Sequence, residues 1–239
     1  MQGQLYRTRN GATKISNNRN RFTVHPTASI LYADALSFGF PDAPNKTLFA
    51  QLSFDLPPGV TLLCGGEGSG KTTLLQLLAG ALLPTAGQLH IQGVRLAETR
   101  LAYQQQVAWW DPRGSAQNEQ PADHIFSTLA QRQHGFSADL LQAHIAGLSL
   151  APHLHKALYM LSTGTRRKVL LAAALAAQAP VTLLDQPFMA LDRPSIDYLL
   201  KQLAGAARQP DRAWVVADYE APMGLALAKV IELGGLSWD

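Results

Sequence analysis

Residues Gly65 to Thr73 read G-G-E-G-S-G-K-T-T and fit the pattern G-x-x-x-x-G-K-[ST]. Gly65, Gly66, Glu67, Gly68, Ser69 and Gly70 would curl the backbone so that its N–H groups converge on phosphate oxygens. The helix that follows adds the positive end of its dipole at the same spot. Lys71 then brings a point charge to the β- and γ-phosphates, the Thr72 hydroxyl is placed to ligate Mg²⁺, and Thr73 can donate to a phosphate oxygen. A second chemistry-bearing stretch, V-T-L-L-D-Q-P-F from Val181 to Phe188, is an apolar strand that ends in the carboxylate of Asp185 and then the amide of Gln186.

The elements around these residues suit them. I-L-Y-A-D-A-L-S-F-G-F from Ile30, L-F-A-Q-L-S-F-D-L and V-T-L-L-C predict three strands separated by Pro-, Asn- and Gly-containing connections. The phosphate-loop pattern lies between the third strand and the helical run T-T-L-L-Q-L-L-A-G-A-L-L, which is the strand, loop and helix context it requires. Further helices are predicted for A-D-H-I-F-S-T-L-A-Q-R, A-D-L-L-Q-A-H-I-A-G-L and the Ala/Leu-rich run Arg167 to Gln178.

The phosphate loop, P-T-A-G-Q-L-H-I-Q-G (Pro84 to Gly93), L-S-T-G-T-R-R-K (Leu161 to Lys168) and L-L-D-Q-P-F-M-A-L-D (Leu183 to Asp192) together resemble the ABC (ATP-binding cassette) ATPase family over roughly residues 30 to 235. The resemblance implies an α/β fold: a P-loop NTPase three-layer sandwich with an N-terminal antiparallel β segment and an inserted helical lobe at about 107–165, within an ATP-binding domain spanning 28–239. It further implies that Ser162 and Gly164, which keep the serine and second glycine of the family's L-S-G-G-Q signature, contact nucleotide held by a facing subunit. Thr163 and Thr165 depart from that signature. Asp185 matches the aspartate that holds Mg²⁺ beside Thr72, and Phe40 the aromatic that stacks on adenine, with Phe38 as the alternative stacker.

Three departures fall on one function. Where the family usually has a glutamate that polarises the attacking water, this chain has Gln186, which hydrogen-bonds water but does not accept its proton at neutral pH. Tyr219, in R-A-W-V-V-A-D-Y-E, stands where a histidine contacts the γ-phosphate in the family. After the strand V-A-W-W-D-P-R, Asp111 or Pro112 occupies the place of the Q-loop glutamine, although Gln104, Gln105 and Gln106 lie close by. These changes point to a site that binds Mg-ATP and hydrolyses it weakly or not at all. A deliberate Glu→Gln replacement would explain Gln186 but leave Tyr219 unexplained, and Asp111, Asp218 and Glu220 are candidates for a substitute carboxylate.

Composition sets the outer limits. The 239 residues are 47% hydrophobic, enough for one substantial core, and the one cysteine, Cys64, excludes an internal disulfide. No apolar run reaches the roughly 18 to 20 residues that span a bilayer. Membrane-crossing subunits are therefore expected as separate chains, with this one peripheral at the cytoplasmic, inner face of the membrane. Arg7, Arg9, Lys14, Arg19 and Arg21 form a basic arm over residues 1–27, read as a disordered tail. Without them 15 basic residues face 17 acidic ones, so the basic pI of about 9.1 belongs to the arm. No specific nucleic-acid partner is expected. The seven histidines, His153 and His155 among them, form no metal-ligand pattern and are expected at the surface. Trp109 and Trp110 are adjacent on a strand, so at least one is expected in the core. The leading reading is an ATP-binding subunit of an ABC transporter, paired with a second ATP-binding subunit as homo- or heterodimer. The alternative is an ATP-gated regulatory or assembly module without transport.

Overall fold

The computed structural model describes residues 29–43, 46–109, 111, 114, 117–133 and 135–234. The basic arm, Trp110, Pro112 and Arg113 lie outside them. The strands, in chain order, are β1 (Leu31–Gly39), β2 (Thr47–Leu56), β3 (Gly59–Gly65), β4 (Ala86–Ile91), β5 (Val94–Arg95), β6 (Val107–Trp109), β7 (Val181–Asp185), β8 (Ala213–Ala217) and β9 (Lys229–Leu233). The helices are α1 (Lys71–Leu78), α2 (Arg100–Gln104), α3 (Ala122–Arg132), α4 (Ala138–Gly147), α5 (Thr163–Ala176) and α6 (Arg193–Ala206).

Strand patterning separates two sheets. β1 and β2 mix buried with exposed positions, as strands with one wet face do, and they pair antiparallel with Leu31 opposite Leu56. β4 and β5 extend them in the order β2-β1-β4-β5. By contrast, β7 and β8 are buried along their whole lengths, the mark of strands covered on both faces. They lie inside a parallel sheet of order β6-β7-β8-β3-β9. The strand alternation sends Leu183 and Val215 into one core, with α1 and the antiparallel sheet, and sends Leu184 and Val216 into a second core with α3 to α6. The result is the layered α/β sandwich that the motifs imply. Lys229, on the edge strand β9, bonds the Asp55 carboxylate on β2 at 2.6 Å and ties the two sheets together.

Because β3, β6, β7 and β8 are parallel, their C-terminal ends share one edge of the sheet, where α/β folds bind ligands. The phosphate loop follows β3, Gln186 follows β7 and Tyr219 comes two residues after β8. The same topology separates the three glutamines of the sequence from that edge. Gln104, Gln105 and Gln106 precede β6 and lie at the opposite edge: the Gln106 carbonyl accepts from Val181 N (3.0 Å), and Gln104 Nε2 donates to Gly80 O (2.8 Å). Asp111 is the described residue beyond the C-terminal end of β6.

Two expectations need correction. The helix after the phosphate loop stops at Leu78 instead of running on to Leu83, because Gly80 turns left-handed at φ 66° and a Cβ there would meet Leu96 Cδ1 at 2.8 Å. Not all histidines are on the surface: His144 on α4 is buried, its Nδ1 2.8 Å from the Tyr198 hydroxyl of α6. Trp109 is partly buried against the first core.

Candidate functional site

Gly70 is the cap of α1, with φ 92°, and it makes no side-chain cap hydrogen bond to the helix's leading N–H groups. Only glycine fits, since a Cβ would meet Phe49 Cζ at 2.8 Å in a backbone region that L residues rarely adopt. The uncapped helix end is left facing the loop as an anion site. Within the loop Ser69 is buried and its Oγ has no hydrogen-bond partner among the described residues. An orphaned buried hydroxyl beside open N–H groups is what a bound phosphate would satisfy.

Lys71 is also buried. Its Nζ donates to the carbonyls of Gly65 (2.7 Å) and Gly66 (2.8 Å), and it lies 4.4 Å from the centroid of the Tyr219 ring. Burial holds its pKa below the ordinary lysine value, while Asp185 and Asp218 pull it back up. The Thr72 hydroxyl donates to Asp185 Oδ2 at 2.7 Å across 113 residues of chain. This hydroxyl and buried carboxylate offer hard oxygen ligands to a small divalent cation. Mg²⁺ is commonly held by one or two protein oxygens while it keeps water and phosphate in its shell, and a hydroxyl with a carboxylate fits that kind of site.

One cleft of about 430 Å³ collects most of the candidate residues: Phe40, Glu67, Gly68, Ser69, Gly70, Lys71, Thr72, Thr73, Asp185, Gln186 and Tyr219 line it, with Leu48. Gly65 and Gly66 are not on its lining, and their carbonyls accept from Lys71 Nζ. Phe40 is exposed while Phe38 is buried edge-on against it, with ring centroids 5.1 Å apart, so Phe40 is the ring available for stacking. The carboxylates on the lining are Glu67 and Asp185; Asp111, Asp218 and Glu220 are not part of it. The Asp218 carboxylate instead accepts from Tyr219 N at 2.8 Å.

Ser162 and Gly164 are not brought to this cleft. Ser162 caps α5 by accepting from Thr165 N at 3.2 Å. Gly164 packs so closely on the carbonyl of Ala190 that a Cβ would collide with it. The hollow next to them, about 140 Å³ in volume, is lined by Leu158, Tyr159, Leu161, Thr163, Arg166 and Arg167.

Arg167 was not singled out in the sequence. It donates to the carbonyls of Asp185 (3.2 Å) and Gln186, joining the α5 segment to the turn after β7. Nothing in the sequence distinguishes it from its neighbours Arg166 and Lys168, because its partners lie 18 and 19 residues downstream.

The family model described as ABC transporter matches residues 49–189, more than half of the chain. This chain belongs to the ABC transporter family, as an ATP-binding subunit. The cytochrome c biogenesis ATP-binding export protein CcmA of Pseudomonas putida KT2440 is 34% identical over 165 residues, covering 69% of this chain and 79% of its own length. Its counterpart in Escherichia coli K12 is 32% identical over 196 residues, covering 78% and 88%. A solved ATP-binding subunit of an ABC transporter superposes with a TM-score of 0.71 at 21% identity over 80% of each chain, a likeness of fold. An ATP-binding role thus follows for this ABC subunit from its family. Among its described residues no helix is long and apolar enough to cross a membrane.

Proposed function

We propose that this subunit holds Mg-ATP in the cleft between Phe40 and Tyr219 and turns it over slowly by itself. The observation that carries this reading is the pairing at the buried end of the cleft, where Asp185 supplies a carboxylate for the cation and its neighbour Gln186 supplies only an amide. Phe40 stacks on the base, the phosphate loop with Lys71 and Thr73 holds the phosphates, and Thr72 with Asp185 holds Mg²⁺. Gln186 orients water without deprotonating it, and Tyr219 takes the place of the histidine. Separate membrane-spanning subunits anchor the chain at the cytoplasmic, inner face of the membrane. The relatives' role in cytochrome c biogenesis makes export the proposed direction of transport.

A second ATP-binding subunit completes the arrangement. The departures fall on Gln186, Tyr219 and the Asp111 region, whereas Ser162 and Gly164 at the start of α5 keep the signature pattern. This division supports a heterodimer in which α5 presents its N-terminus to the partner's nucleotide and this chain's own site acts as a slow clamp. The test is ATPase activity of the complex assembled with the candidate partner. Ser162→Arg, which puts bulk and charge on the presented surface, is expected to abolish most of it. Activity untouched by Ser162→Arg but lost with Lys71→Ala would make this chain's own site the working one and end the heterodimer reading.

A further inference from the structure

The Lys71 ammonium meets three groups of its own chain. Two are the Gly65 and Gly66 carbonyls, and the Tyr219 ring covers the ammonium at 4.4 Å. A cation over a ring face at this distance is attracted by the ring quadrupole. Tyr219 is half-exposed, and its backbone is set by two bonds: its own N–H donates to Asp218 Oδ1, and Asp218 N donates to Leu63 O at 3.0 Å. The ring therefore reaches Lys71 from a fixed base two residues beyond β8 and can be displaced without unpacking a core.

The cleft gives this contact a direction. Phe40 and Leu48, from the antiparallel sheet, line it together with Asp185, Gln186 and Tyr219, from the edge of the parallel sheet. On the nucleotide-binding reading proposed above, a nucleotide with its base on Phe40 would run its phosphates toward Lys71 and bring the last of them to the side of the cleft lined by Asp185 and Tyr219.

We infer that Tyr219 is a latch on the phosphate site: its ring occupies Lys71 when the site is empty and must be displaced by the terminal phosphate of a nucleoside triphosphate. The inference rests on the nucleotide-binding reading above. The latch sets how strongly the site prefers triphosphate to diphosphate, because Lys71 serves both the β- and γ-phosphates and it is the additional, terminal phosphate of the longer ligand that has to take the ring's place. The ring does this, and the hydroxyl is not needed for it.

The test is calorimetric titration of the full chain with Mg-ATP and Mg-ADP, for the parent, Tyr219→Ala, Tyr219→Phe and Lys71→Ala. Removing a partly exposed cation–π contact corresponds to about two- to fivefold in affinity. Tyr219→Ala is expected to bind ATP tighter by that factor with a smaller change for ADP, and Tyr219→Phe to keep the parent's ATP-to-ADP ratio. An unchanged ratio in Tyr219→Ala, or weaker ATP binding in both Tyr219 variants, would overturn the latch, the second outcome marking the hydroxyl as a phosphate ligand. Lys71→Ala separates the two levels. If its ATP affinity equals the parent's, the nucleotide site itself is misplaced and the latch falls with it; if it loses ATP while the Tyr219→Ala ratio stays flat, the latch alone falls.

Discussion

Gln186 is held by its backbone. Its φ of 45° is left-handed, its N–H donates to Ala217 O at 2.8 Å, and its carbonyl receives Arg167. Such a conformation costs on the order of 1–3 kcal/mol in a non-glycine residue and persists only where the surroundings impose it. The imposed backbone fixes where the side chain emerges, so a carboxylate substituted at 186 would leave from the same Cα beside Asp185. A positioned general base contributes about 10² to 10⁴ in rate. Gln186→Glu is accordingly expected to raise single-chain ATP turnover at least about tenfold, short of the full factor because Tyr219 remains. Fast turnover by the parent, unchanged in Gln186→Glu, would show that the base lies elsewhere.

The α4–α6 contact carries a pH signal. Gly147 leaves room for the Tyr198 ring, and a Cβ there would collide with it. The Tyr198 hydroxyl meets His144 Nδ1 and the Ala143 carbonyl. Burial lowers the His144 pKa to about 4 from an ordinary 6.5. The unfolded chain therefore protonates first, and stability falls as pH drops from about 6.5 to about 4, then levels off. The linked loss is on the order of 2–3 kcal/mol. Denaturant unfolding of the parent and of His144→Leu between pH 7 and 4 checks this. The variant is expected to lose that part of the slope, and an identical slope would exclude His144 as its source. This element also shows where sequence reading stopped. The α3 and α4 helices were legible from their apolar periodicity, and β3 and β7 from apolar runs that end in chemistry-bearing residues. The burial of His144 was not, because it depends on Tyr198, 54 residues away. Arg212 was unread for the same reason: it is buried against Gln178, Ala179 and Thr182, all 30 or more residues distant. β4 has weak alternation of its own and becomes a strand by pairing with β1, Leu31 opposite Ile91.

Across the whole molecule, two sheets and two cores bring residues from four strand ends to one edge, and that assembly gives the separate motifs a common purpose. Phe40 comes from just past β1, Lys71 from the start of α1, Asp185 from β7 and Tyr219 from beyond β8, yet all line one cleft. The Thr72–Asp185 hydrogen bond closes it across the chain. The central claim is that this cleft binds Mg-ATP and that Lys71 is its principal charge. Hydrogen bonds to charged groups are worth about 1.5–3 kcal/mol, or roughly one to two decades in affinity. The most direct measurement is titration of Mg-ATP into the purified chain and into Lys71→Ala by calorimetry, with circular dichroism to confirm that both are folded. Saturable binding by the parent that weakens at least about tenfold in Lys71→Ala is the predicted result, and equal affinity in two folded proteins would contradict it.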